Sequence, residues 1–170
     1  MGRVHYTKYQ KALAEYILRE RIRQREANKK PFGLMDLMLA THLNYKPGWV
    51  HKAICKKLEE FMRKVEQGES PRLIINMPPQ HGKSTIVSET FPVFGLAAHP
   101  DWHFIVASYA SSLAEKFSRR ARDLSRHEFL KTNAPQYVLS ADRQGVEEWE
   151  TTKRGGYKRL GYWVQSQEAR

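Results

Sequence analysis

Leu73-Ile74-Ile75-Asn76-Met77-Pro78-Pro79-Gln80-His81-Gly82-Lys83-Ser84-Thr85 is the stretch on which the fold turns. Five mainly apolar residues lead into a short loop ending in Gly-Lys-Ser-Thr, and a helical pattern follows. A strand, a loop closing on Gly-Lys-Ser/Thr and a helix is the arrangement of a phosphate-holding P-loop. Backbone N–H groups of the loop and of the helix N-terminus face an anion, and the helix dipole favours negative charge there. In that reading Pro79, Gln80, His81, Gly82, Lys83, Ser84 and Thr85 wrap the phosphates. Lys83 neutralises the γ-phosphate as the catalytic cation, and the Ser84 hydroxyl ligates Mg²⁺. Gly82 lets the backbone come close. The usual pattern begins with a glycine where this chain has Met77. The alternative is a plain strand–turn–helix junction with a surface lysine.

Outward from the loop, the chain reads as α/β. Arg72 to Met77 is expected as the strand delivering the loop. Lys83 to about Ala98 is expected as a helix, kinked or shortened by Pro92, which lacks an N–H. His103 to Ser108 is a second short apolar strand of parallel-sheet type. Ser111 to His127 is a helix with Leu113, Ala114, Phe117, Ala121 and Leu124 on one side and Lys116, Arg119, Arg120, Arg122 and Arg126 on the other. Two successive βα units predict a parallel sheet. Upstream, Trp49 to Gln67 carries Val50, Ala53, Ile54, Leu58, Phe61, Met62 and Val65 at helical spacing. Leu34 to Leu43 is a shorter helical segment, and residues 7 to 29 form a basic helix. Downstream, Thr132 to Asp142 reads as irregular. Val146–Thr152 and Tyr157–Val164 flank Lys153-Arg154-Gly155-Gly156 as a hairpin. The domain division expected is 1–44, a basic helical region, and 45–170, a partial P-loop domain.

Composition narrows the partners. The chain has 170 residues, 41% hydrophobic and 28% charged, which suits a folded core. Its net charge of +11, from 29 Lys+Arg against 18 Asp+Glu, suggests a polyanionic partner, with nucleic acid foremost. A solvated basic surface is the plainer alternative. Cys55 is the single cysteine, so no intrachain disulfide forms and a reducing cytosol fits. Its expected place is the core of a helix. No run approaches the roughly 18 apolar residues that span a bilayer, so no membrane is expected.

Several blocks together resemble the ATPase part of phage terminase large subunits. These are Pro78 to Thr85, Phe91-Pro92, His99-Pro100-Asp101, Ile105 to Asp123, Trp149 to Gly161, and Pro47-Gly48-Trp49-Val50-His51. The resemblance spans about residues 45 to 162. It implies an ASCE-type P-loop NTPase fold, a three-layer α/β/α arrangement with a parallel sheet, incomplete here and preceded by helices. It implies ATP and Mg²⁺ as cofactors and DNA packaging driven by ATP. The family's partners are double-stranded DNA, the portal protein and the terminase small subunit, with a ring assembled on the portal in the bacterial host cytoplasm. Arg119, Arg120 and Arg122 are the candidate nucleic-acid residues. Where the family often carries Arg, this loop has Gln80, which donates a hydrogen bond but brings no charge.

The family also places an apolar strand ending in Asp-Asp or Asp-Glu soon after the Trp-x-Thr…Gly-Gly segment, to hold Mg²⁺ through water. Val146-Glu147-Glu148 is a poor match, with one apolar residue before the acids. The stretch to Arg170 does not continue the pattern, and the family's nuclease domain is not seen. The chain is therefore expected to grip nucleotide without hydrolysing it, as a truncated, frameshifted or split product. Two rivals stand beside this reading: another P-loop DNA motor of helicase type, and a basic DNA-binding or assembly module without catalysis.

Overall fold

The computed structural model describes residues 31–161, together with Leu13, Glu15, Tyr16, Ile17, Arg19 and Glu20. Backbone contacts divide the chain into two compact units, residues 1–31 and 32–170, so Phe32 to Asn44 belongs to the second. In the first unit the described residues are helical, while most of the expected 7–29 helix, including Arg21, Arg23, Arg25, Lys29 and Lys30, lies outside the described residues.

The second unit opens with α1 (Leu34–Thr41), which buries Leu34, Leu37 and Met38. Helix α2 (Trp49–Glu66) buries Cys55, Leu58 and Met62, one stripe at helical spacing. Glu59 of α2 accepts the Leu34 N–H at 2.7 Å, so one helix satisfies a first-turn donor of the other. After α2 the chain reverses at Gly68 (φ 80°), with Gly68 N donating to the Val65 carbonyl and Glu69 N to the Lys64 carbonyl, both at 2.9 Å. This left-handed cap ends the helix where the Gly-Glu-Ser-Pro signal predicts.

The expected strand at Arg72–Met77 is not one. These residues run without pairing to any strand, with Leu73 and Ile74 exposed and Ile75 packed on the core. Apolar residues make a strand only where a neighbour offers a ladder of N–H and C=O groups. The four described strands pair only among themselves, and Arg72–Met77 joins neither open edge of their sheet.

Lys83 and Ser84 open a helix that passes through a π-helical turn, Thr85–Thr90, into α3 (Phe91–Ala98). The expected effect of Pro92 takes this form. The Phe91 N–H bonds the Ile86 carbonyl, five residues back, and Pro92 adds no N–H of its own. The Ser88 carbonyl accepts the Tyr157 hydroxyl at 3.2 Å, and Thr90 Oγ1 donates to the Thr85 carbonyl at 2.9 Å. Helix α3 is buried almost all round.

Strand β1 (His103–Ser108) follows, then α4 (Ser111–Ser125), a short α5 (Glu128–Asn133), β2 (Leu139–Gln144), β3 (Glu148–Thr151) and β4 (Gly156–Gly161). The sheet order is β1-β4-β3-β2. Only β1 and β4 run parallel, with Ile105 opposite Lys158 and Ala107 opposite Leu160. The other pairs are antiparallel, so the sheet is mixed where an all-parallel one was expected. The β3–β4 hairpin matches expectation. The irregular reading of 132–142 does not hold: Thr132 and Asn133 end α5, and Leu139–Gln144 is a strand.

Helix α4 lies against β1 and β4. Phe104 and Val106 face the core, while Ile105, Ala107, Lys158 and Leu160 are exposed on the opposite face. Among the described residues this face has no covering layer, so the arrangement is two layers rather than the expected three. At the core of the hairpin, Trp149 and Tyr157 stack at 5.3 Å with an interplanar angle of 10°. Burying each contributes about 1.5–3 kcal/mol.

The hairpin is latched to the chain before β1. Gly155 N donates to the Pro100 carbonyl at 3.1 Å, Gly156 N to the Trp102 carbonyl at 2.8 Å, and the Thr151 hydroxyl to Pro100. A Cβ at Gly155 would fall 2.3 Å from the Pro100 oxygen. The Thr…Gly-Gly and His-Pro-Asp motifs are thus two halves of one contact.

Candidate phosphate-binding site

The loop Pro78–Gly82 carries two left-handed residues, Gln80 at φ 63° and Gly82 at φ 78°. Glycine takes that region without penalty, and a side chain pays for it. The first helical bond runs from Ile86 N to the Gly82 carbonyl at 3.1 Å. The amides of Lys83, Ser84 and Thr85 precede it and are first-turn donors with no intrahelical acceptor. Lys83 and Ser84 are half-buried, and the Lys83 ammonium forms no ion pair among the described residues. First-turn amides, a cation without an ion pair and a hydroxyl, adjacent in the chain, are groups that can bind a phosphorylated ligand. Thr85 also borders a cavity of about 490 Å³ whose wall includes Glu89, Arg120 and Asp123.

Pro79 to Thr85 are therefore brought together as one loop and helix start. The ring of His81 bonds within the loop itself. Its Nδ1 lies 2.7 Å from the Pro79 carbonyl and donates to it. Tyr45 and His51 were not assigned to the site from sequence, yet both reach it. His51 Nε2 lies 3.0 Å from the His81 carbonyl, and a Cβ on Gly82 would lie 3.7 Å from the Tyr45 hydroxyl. The Pro-Gly-Trp-x-His block was the available signal, but nothing in it names a partner 30 residues away.

For Mg²⁺, the donor in place is the Ser84 hydroxyl. Magnesium commonly takes few protein ligands beside phosphate oxygens and water, which that single hydroxyl fits. No cluster of three His, Cys, Asp or Glu able to hold a metal occurs among the described residues. Glu147 pairs with Arg159 at 3.0 Å and Glu148 with Lys158 at 3.8 Å, so both carboxylates form ion pairs across the β3–β4 hairpin.

The three candidate nucleic-acid arginines are engaged within the protein. Arg119 pairs with Glu115 one turn back, Arg120 Nη1 with the buried Glu89 at 3.2 Å, and Arg122 Nη1 donates to the Gln144 carbonyl at 2.6 Å. Arg119 and Arg120 remain exposed, and Arg122 is half-buried. Cys55 sits in the core as expected, and burial, with Glu59 nearby, pushes its thiol up to about 11. No helix among the described residues is long and apolar enough to cross a membrane.

No protein-family model, no curated protein and no solved structure matches this chain.

Proposed function

We propose that this chain is a P-loop nucleotide-binding module of terminase large-subunit type, taking ATP with Mg²⁺ and serving a DNA-packaging motor. The observation that carries the reading is the loop itself: two left-handed residues followed by a helix start whose first-turn amides have no intrahelical acceptor, with Lys83 and Ser84 unpaired among the described residues. In the proposed complex the amides of Gly82 to Thr85 hold the phosphates. Lys83 balances the β- and γ-phosphate charge, and Ser84 joins the Mg²⁺ shell. The cavity beside Thr85 lies in the size range of small-molecule sites. The net charge of +11 supports a DNA partner.

We further propose that these residues bind nucleotide without turning it over. Among the described residues the parallel strands β1 and β4 reach Ser108 and Gly161 without a carboxylate there, and Glu147 and Glu148 pair with Arg159 and Lys158. Phosphoryl transfer to water needs a group that orients the attacking water.

The test is isothermal titration of ATP–Mg²⁺ into the wild-type chain and Lys83→Ala. Micromolar binding by the wild type and a loss of at least tenfold in the variant are expected. That loss corresponds to about 1.4 kcal/mol, within the span of a charge-assisted hydrogen bond. Equal affinity in the two proteins would remove Lys83 from the site.

A further inference from the structure

We infer that His51 is a positioning residue that aims the loop's amides at the anion. The inference rests on the phosphate-binding reading for its ligand, while its geometry stands apart from it.

The loop is held by two imidazoles in series. His51 lies in the first turn of α2, and its Nδ1 accepts the Gly48 N–H at 3.0 Å. That acceptor role assigns the proton to Nε2, which donates to the His81 carbonyl at 3.0 Å. His81 in turn donates from Nδ1 to the Pro79 carbonyl at 2.7 Å. The carbonyls on either side of the left-handed Gln80 are thus both tied to rings.

A trans peptide is planar, so its N–H points opposite to its C=O. Drawing the His81 carbonyl toward α2 turns the Gly82 N–H the other way. Drawing the Pro79 carbonyl toward the His81 ring does the same for the Gln80 N–H. Successive amides turned to one side form an anion-binding concavity. Left-handed backbone at a non-glycine residue such as Gln80 (φ 63°) persists only where its surroundings over-determine it. The two ties supply that constraint.

Tyr45 backs the arrangement. Its ring meets His51 edge-on at 5.6 Å and 76°. Its hydroxyl is buried beside Gly82 with no hydrogen-bond partner among the described residues. Tyr45 therefore leaves the His81 carbonyl to His51 and limits where that ring can go. His51 also joins the loop to α2, which links ligand binding to the start of that helix.

The experiment compares wild type with His51→Ala, His51→Phe and His51→Gln. His51→Phe keeps a ring against Tyr45 but removes both hydrogen bonds. His51→Gln keeps an acceptor for Gly48 and a donor for His81. Two quantities are read: the backbone ¹H–¹⁵N heteronuclear NOE of residues 79–85 without ligand, and affinity for ATP–Mg²⁺. Expected are a lower NOE at Gln80 and Gly82, and about five- to tenfold weaker binding, in His51→Ala and His51→Phe. Both effects are expected to be largely restored in His51→Gln, with the NOE of α2 unchanged. Should His51→Ala fail to fold, His51→Phe carries the comparison. An unchanged NOE at Gly82 in a folded His51→Phe overturns the inference, whatever the ligand result. Absence of ATP binding by the wild type overturns the nucleotide reading, and the loop NOE still decides the role of His51.

Discussion

Replacing Gly82 by alanine separates backbone strain from ligand binding, because the fold contains its own control. Gly82 has φ 78° and Gly68 has φ 80°, so the same substitution meets the same backbone penalty at both. Neither is crowded. A Cβ at Gly68 would find nothing within 4 Å, and one at Gly82 would find nothing nearer than 3.7 Å. The cost is therefore that of a left-handed L-residue, about 1–2 kcal/mol at each position. For a domain of this size that lowers Tm by roughly 2–8 °C. The ligand responds differently. Strain at Gly82 is relieved by rotating the loop, which swings its amide away from the phosphate and forfeits a charge-assisted hydrogen bond of about 1.5–3 kcal/mol. ATP affinity should then fall by roughly 10- to 150-fold in Gly82→Ala and stay at the wild-type value in Gly68→Ala. Thermal unfolding followed by calorimetric titration reads both quantities on the same samples. Equal affinities in the two variants, with equal Tm losses, would refute the claim that the left-handed Gly82 forms the anion site.

Two further outcomes follow from the packing. Tyr157→Phe removes a donor to the Ser88 carbonyl and should cost about 1–2 kcal/mol in urea unfolding. An unfolding free energy equal to that of the wild type would show that this bond does not hold the helix to β4. Cys55 governs an alkaline limb of stability: its folded value of about 11 lies above the ordinary thiol value, so the stabilisation is full below that ordinary value and is lost as pH rises toward 11. The wild type minus Cys55→Ala difference in unfolding free energy should therefore fall between about pH 9 and pH 11, and a flat difference would contradict it.

What was legible in the sequence follows from how local each signal is. Helices α1, α2 and α4 and strand β1 announce themselves through apolar periodicity, and the β3–β4 hairpin through Lys153-Arg154-Gly155-Gly156. The loop was legible because glycine at a left-handed position and a helix start leave a mark in the chain. Arg72–Met77 misled because strand character belongs to a pair of segments and not to one. Strand β2 escaped notice for the opposite reason. Leu-Ser-Ala-Asp-Arg-Gln has no apolar alternation, and it is held by its pairing with β3 and by Arg122 and Arg126, which bond to Gln144. His51, Tyr45 and Tyr157 act through contacts far along the chain, for which no spacing rule exists.

The unpaired Arg72–Met77 segment changes where the loop gets its order. In a sheet, a preceding strand would fix the loop's entry. Here Pro78 follows an extended segment that has no ladder, so the constraint comes from the other sides. Downstream, Ile86 is fully buried, and the Ser88 carbonyl is fastened to Tyr157 on β4. Laterally, His51 holds the His81 carbonyl from α2. Gln80 and Gly82 flank the His81 carbonyl that His51 holds, so rotating their left-handed backbone strains that bond. The course of the loop is thus set by helix α2 and strand β4 more than by the segment that leads into it.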